Sequence, residues 1–242
     1  MFLKNVTITG FDGNTHIPDV VELTKKYPFV EWGILISSTR NGTVKYPDKM
    51  FVGELMRYAG SKGINISLSY HLCGRIASDF AKGYFDVDLW RTFVPPTYFA
   101  KRIQVNINAT KTPCDYEKFA EKINLMMIQN NIPVIIQFNK ANELLWYYLV
   151  RYEAYPNILF DASGGRGKVI RKFLPPVSGF FCGYAGGLNP DNVVEALEYI
   201  DCVINDGVSW VDTESGVRDK NDQLDLNKVD DFLSKCKKWV IS

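Results

Sequence analysis

No apolar run in this 242-residue sequence approaches the roughly 18 residues that a membrane-spanning helix requires. The opening hexapeptide, MFLKNV, has neither the basic start nor the apolar stretch of a secretory signal. A surplus of charge is also missing. With 28 basic against 27 acidic residues the formal net charge is +1, so no bulk field draws the chain to nucleic acid or to an anionic membrane. No basic cluster interleaved with aromatics suggests a nucleic-acid groove either. The five cysteines, Cys73, Cys114, Cys182, Cys202 and Cys236, are odd in number and scattered, with no pair at metal-finger spacing. They read as free thiols of a reducing compartment. No His, Cys and Asp cluster has metal-ligand spacing, and no G-x-G-x-x-G follows the first strand-like run. The expectation is a soluble, cytoplasmic protein with no metal, cofactor, membrane or nucleic-acid partner.

What is present is a globular composition, 46% apolar and 23% charged, in a length that suits one α/β barrel. Residues 6–11, 30–37, 64–72, 102–107, 133–138 and 157–161 are short apolar runs that read as strands. Between them, residues 18–27, 48–63, 75–82, 115–130 and 141–153 carry helical spacing or helix-start signals. A seventh strand at 179–182 and an eighth ending near Val211 follow, with helices at 193–200 and 226–240. Residues 83–99, containing Pro95 and Pro96, fit neither pattern and read as an insertion. Short apolar strands separated by helices make a parallel sheet covered on both faces. Eight such units predict a single domain over residues 1–242, a closed (β/α)8 TIM barrel of the α/β class.

The segment GYAGGLNPDN at 183–192 joins the seventh strand to its helix. A glycine turn followed by Asn-Pro-Asp at a helix start arranges bare backbone N–H groups around an anion. Asn189 suits a cap, Pro190 the first helical turn, and Asp191 the positive helix end. Gly186 and Gly187 let the backbone approach a phosphate without a Cβ in the way. The segment VDTESGVRD at 211–219, with Ser215 and Gly216, repeats the plan at the eighth strand. Tight-turn geometry alone would account for one such loop; two in succession predict a barrel's phosphate site.

These motifs resemble those of the phosphoribosylanthranilate isomerase family, the tryptophan-pathway barrel. Phe160-Asp161 followed by Gly164-Gly-Arg-Gly-Lys168 looks like the family's sixth strand and G-G-x-G-K loop. AGGLNPDN at 185–192 is similar to its G-G-L-N-P-x-N, and VDTESGV at 211–217 to its V-D-x-S-S-G-V. Nearer the N-terminus, VTITG at 6–10 lies where the family has V-K-I-C-G. GILI at 33–36, with Tyr46-Pro47-Asp48, resembles the second βα unit, and IQV at 103–105 the fourth strand.

The resemblance implies an intramolecular isomerase. The family's Amadori rearrangement opens a phosphorylated ribose aminal to a 1-amino-ketose, with a general acid at the ring oxygen and a general base for the C2 proton. Asp161 falls on the acid position, and a carboxyl group in a partly dry pocket holds a proton more readily. The base position falls on Thr9, where the family has cysteine, and a threonine hydroxyl has no accessible ionised form near neutral pH. Replacement bases are Asp12, just past the first strand, or His71 and Cys73 at the end of the third. His71 has the appropriate unperturbed pKa, although a lone histidine is more often structural. Cys73 competes with the role of a small buried hydrophobe. His16 reads as structural.

For the phosphate, the resemblance and the fold both point to Gly186, Gly187, Ser215 and Gly216, with Arg166, Lys168 and Arg218 as candidate charge. Arg40 and Lys45 lie near a basic residue that the family sets against its substrate. Asp212 and Glu214 would orient substrate hydroxyls or brace their loop. Trp146, Tyr147, Tyr148, Tyr152 and Tyr155 read as core or oligomer surface. A monomer or a homodimer binding a phosphorylated small molecule fits. So do a different phosphosugar epimerase, aldolase or lyase on the same barrel, and a non-catalytic relative that binds a phosphate ligand.

Overall fold

The computed structural model describes residues 2–84, 100–161 and 173–241. Eight parallel strands close into a barrel in chain order: β1 (Phe2–Thr9), β2 (Val30–Ile36), β3 (Leu68–Leu72), β4 (Arg102–Val105), β5 (Val134–Phe138), β6 (Asn157–Phe160), β7 (Cys182–Tyr184) and β8 (Val208–Thr213). The helices are α1 (Ile17–Lys26), α2 (Lys49–Ser61), α3 (Arg75–Ala81), α4 (Tyr116–Asn124), α5 (Glu143–Arg151), α6 (Val193–Ile204) and α7 (Leu226–Cys236). Side-chain caps start three of them: Asp48, Asp115 and Asp225 each accept N–H bonds from the first turn of α2, α4 and α7. The (β/α)8 expectation holds.

Several boundaries differ for physical reasons. The seventh strand lies later than its apolar run, at Cys182–Tyr184, where Gly183 pairs with Trp210 and a side chain on it would overlap the indole. The helix expected at 115–130 gives way to a π turn, Leu125–Gln129, and that expected at 141–153 begins with a 3-10 turn, Lys140–Asn142. The last helix stops at Cys236 before a 3-10 turn, Lys237–Trp239. Residues 85–99 and the loop carrying Arg166 and Lys168 lie outside the described residues.

Alternation along each strand sends one face to the helices and one into the barrel. The outward set, with Val6, Ile8, Val30, Ile34, Ile103 and Ile136, forms the main apolar core with the helices. The inward set is mixed. Ile135, Leu159, Ala185 and Trp210 make a small apolar cluster. Opposite them, Arg102 on β4 reaches across the lumen to Glu31 on β2, with Nη2 to Oε1 at 2.5 Å and Nε to Oε2 at 3.0 Å. Thr7 on β1 donates to Glu31 at 2.9 Å, and the guanidinium lies 4.5 Å from the Trp210 ring centre. An unpaired charge there would be costly, so each partner makes the other tolerable. This polar floor fixes the depth at which the open end of the barrel begins.

Candidate active site

Because all eight strands run the same way, their C-terminal ends share one rim, and a cavity of about 550 Å³ opens there. Its walls are Thr9, Leu35, His71, Cys73, Gln104, Asn106, Gln137, Asp161 and Asp212, with the loops after β2, β4, β7 and β8 above them.

The glycine loops form one side. Gly186 and Gly187 have φ of 111° and 68°, a region that suits glycine. Asn189 Oδ1 accepts from the Asp191 and Asn192 N–H groups at 2.8 and 3.1 Å, while Asn192 Oδ1 accepts from the Asn189 N–H at 2.8 Å. Asn189 thus closes a turn of its own instead of capping the helix, Pro190 lies ahead of the first helical turn, and α6 starts at Val193 as its apolar spacing predicts, with Asn192 at the N-cap. The β8 loop is locked to this one. Thr213 Oγ1 donates to the Leu188 carbonyl at 2.6 Å, and Gly216 lies so close to that carbonyl that a Cβ would overlap it. Gly186, Gly187 and Ser215 border the cavity. Among the described residues, the N–H groups of Gly186, Gly187, Ser215 and Gly216 meet no acceptor.

Of the candidate cations, Arg218 is spent elsewhere. It is buried, donates to the Gly10 carbonyl and Asp12 at 2.5 Å, and also pairs with Asp222. Asp12 in turn accepts from the Lys45 and Leu224 N–H groups, and it is not part of the cavity wall. Together they tie the end of β1 to the segment after β8. Arg40, Lys45 and Tyr46 do border the cavity; Lys45 Nζ lies 3.3 Å from Glu214 and 3.1 Å from Asp222, and the Arg40 guanidinium lies 5.7 Å from the Tyr46 ring centre.

The candidate acid and base groups sit deeper. Asp161, at the end of β6, is buried, and Gln137 Nε2 lies 3.4 Å from its Oδ2. Thr9 donates its hydroxyl to Asp212 Oδ1 at 2.8 Å. Burial, reinforced by the charge of Glu214, pushes Asp212 up to about 7, although the Thr9 bond opposes it. His71 is pushed down to about 3 by burial and by Arg102, so its imidazole is neutral at pH 7. A ring that takes a proton only near pH 3 is a weak base in neutral solution. Burial pushes the Cys73 thiol up, and Asn106 Nδ2 donates to its sulfur at 3.4 Å.

Four carboxamides went unremarked in the sequence: Gln104, Asn106, Asn108 and Gln137 all border the cavity. Gln104 donates to Asn106 at 2.7 Å. The signal was the period-two spacing of 104, 106 and 108, which puts amides on one face of β4 and its extension. The helix aromatics divide: Trp146 is buried and donates to the Gln137 carbonyl at 3.1 Å, whereas Tyr147 and Tyr155 are exposed. Among the described residues, no group of three or more His, Cys, Asp or Glu side chains is placed to hold a metal ion. No helix among them is long and apolar enough to cross a membrane.

Comparison with known proteins agrees with the motifs. Residues 119–235, just under half of the chain, match the family model described as N-(5'phosphoribosyl)anthranilate (PRA) isomerase. That stretch contains all three C-terminal motifs, so the resemblance read from them is borne out there. No curated protein matches the chain. Among solved structures, monomers generated from the dimeric phosphoribosylanthranilate isomerase of Thermotoga maritima are similar at 16% identity and a TM-score of 0.57, covering 96% of this chain and 98% of that one. A phosphoribosylanthranilate isomerase in complex with reduced 1-(o-carboxyphenylamino)-1-deoxyribulose 5-phosphate is similar at 17% identity and a TM-score of 0.55, covering 97% and 98%. KGPDC from Streptococcus mutans shares the fold at 10% identity and a TM-score of 0.53, covering 98% and 99%.

Proposed function

With kinship to the phosphoribosylanthranilate isomerases over residues 119–235 as the premise, we propose that this barrel binds a phosphorylated sugar and isomerises it by an Amadori rearrangement. The observation that carries the reading is the pair of interlocked loops, Gly186-Gly187 and Ser215-Gly216, whose free N–H groups lie at the same rim as Asp161. Backbone donors at the last two strands suit a phosphate, and its binding would hold the sugar over the buried carboxyl groups. Asp161 protonates the ring oxygen. The reaction opens the ring and shifts protons with no net oxidation or reduction, so acid and base groups suffice for it and it asks for no redox cofactor. The relative that binds a reduced aminodeoxyribulose phosphate supports the same ligand class.

The test is direct. Phosphoribosylanthranilate is incubated with the protein and the loss of its fluorescence is followed, with Asp161→Asn as the control. Turnover that this substitution abolishes supports the isomerase. A melting temperature unmoved by ribose 5-phosphate or inorganic phosphate overturns the phosphate site.

One observation favours a second reading, a different phosphosugar epimerase or lyase. Gln104, Asn106, Asn108 and Gln137 offer amide groups where a planar aromatic ring would want apolar surface. Stabilisation by ribose 5-phosphate without turnover of phosphoribosylanthranilate would select it, or the non-catalytic binding role.

A further inference from the structure

Resting on the isomerase reading above, we propose that Asp212 is the base that removes the sugar C2 proton, with Thr9 as its positioning residue. The two stand on β8 and β1, the strands that close the barrel. Thr9 donates to Oδ1, and Oδ2 has no partner among the described residues, while the side chain borders the cavity. Gly33 leaves room for the Thr9 hydroxyl, since any side chain there would overlap it. The proton acceptor has therefore moved one strand from the position held by cysteine in the family, and the threonine there supports its replacement.

The other candidates are engaged or mismatched. Asp12 is bound by Arg218 and two N–H groups outside the cavity wall. His71 is a weak base and Cys73 keeps its proton. Asp161 lies just past the end of β6, with β7 between that strand and β8, so one carboxyl group can serve as acid and the other as base. The charged groups acting on Asp212 are Glu214 beyond its own strand, Glu31 on β2 and Arg102 on β4. Their sum with burial leaves a carboxyl group that exchanges protons near pH 7, where a general base works best.

The proton movements balance. Asp161 protonates the ring oxygen as the C1–O bond breaks and the nitrogen lone pair forms the C1=N bond. Asp212 takes the C2 proton; the C2–H pair becomes the C1=C2 bond, and the C=N π pair returns to nitrogen. The enaminol then ketonises: C1 takes the proton from Asp212, and the C2 hydroxyl returns one to Asp161. Both carboxyl groups end as they began.

Two assays test this on the full chain. The first measures phosphoribosylanthranilate turnover against pH. The second follows exchange of the C1 hydrogens of ribulose 5-phosphate in D2O, the reverse step at the same base. Asp212→Asn should lower kcat and exchange by about 100-fold or more with KM little changed. Thr9→Val should lower turnover at neutral pH and move the acidic limb of the pH profile upward, because the bond that pulls Asp212 down is gone. This variant also serves as the test if Asp212→Asn fails to fold. Unchanged kcat in Asp212→Asn, or an unmoved limb in Thr9→Val, overturns the assignment. A wild type that neither turns over nor exchanges, yet is still stabilised by ribose 5-phosphate, overturns the base and leaves the phosphate site standing. Without that stabilisation both fall.

Discussion

Arg218 and Asp12 form an ion pair 2.5 Å apart, nearly sealed from water, between segments separated by 206 residues. Removing Asp12 leaves the buried Arg218 guanidinium with only the largely exposed Asp222 carboxylate and two carbonyls, and takes the acceptor away from two backbone N–H groups. Asp12→Ala should therefore destabilise the fold by about 3–5 kcal/mol in urea denaturation. Once folded, the variant should retain binding of ribose 5-phosphate, because the pair is not part of the cavity wall. Loss of binding in a folded protein would count against a purely architectural role.

The Glu31–Arg102 pair in the barrel floor makes a second case, with a different control. Glu31→Leu alone should cost about 3–5 kcal/mol, since the guanidinium would keep only Thr7 and the Trp210 face. The double variant Glu31→Leu/Arg102→Met removes both charges and should be more stable than Glu31→Leu. A double variant less stable than that single would mean that the ion pair itself, and not the avoidance of an unpaired charge, holds the floor.

Asp212 and His71 act in opposite directions on the stability of the fold as pH changes. Asp212 is raised from 3.8 to about 7, so its contribution is fully present below pH 3.8 and is lost as pH rises toward 7. His71 is depressed from 6.5 to about 3, so its contribution is fully present above pH 6.5 and is lost as pH falls toward 3. Each is worth on the order of 4 kcal/mol over its window. In the wild type the two slopes offset one another between about pH 4 and 6.5. Asp212→Asn should lose stability on acidification through that range, and His71→Leu should gain it. Melting curves taken at half-unit intervals would read the sign directly, and parallel curves for all three proteins would refute it.

Gly216→Ala puts a methyl group into the Leu188 carbonyl. The loops must separate, at about 1–3 kcal/mol by analogy with overpacked cores. The more telling readout is ligand stabilisation. The melting shift given by ribose 5-phosphate should shrink severalfold, because the N–H groups on the two loops no longer converge. An undiminished shift would place the phosphate elsewhere.

The strands were legible because most are short apolar runs, and helix caps such as Asp48 and Asp115 announce themselves locally. Asp161 and the glycine loops were legible because each belongs to a contiguous motif. Long-range pairings were not. Arg218 looked like charge for a substrate because it follows the eighth-strand loop, and only barrel closure brings it against Asp12. Thr9 looked like a lost base for the same reason, since its partner Asp212 is 203 residues away. Glu31 was a signal within reach: an acid inside VEWGILI, a fully buried strand, demands a cation somewhere in the barrel.

The seam between β1 and β8 has a consequence for the order in which this molecule becomes competent. Thr9 meets Asp212 across it, Asp12 meets Arg218 beside it, and Leu3 accepts from the Ile241 N–H near its base. An assembly intermediate with seven strands in place would carry the β7 loop and Asp161 but have neither the β8 loop nor the Thr9–Asp212 contact. On the proposed function, activity would require the completed ring. A fluorescence or circular-dichroism signal that saturates before turnover appears during refolding would mark the docking of the eighth strand as the step that switches the chemistry on.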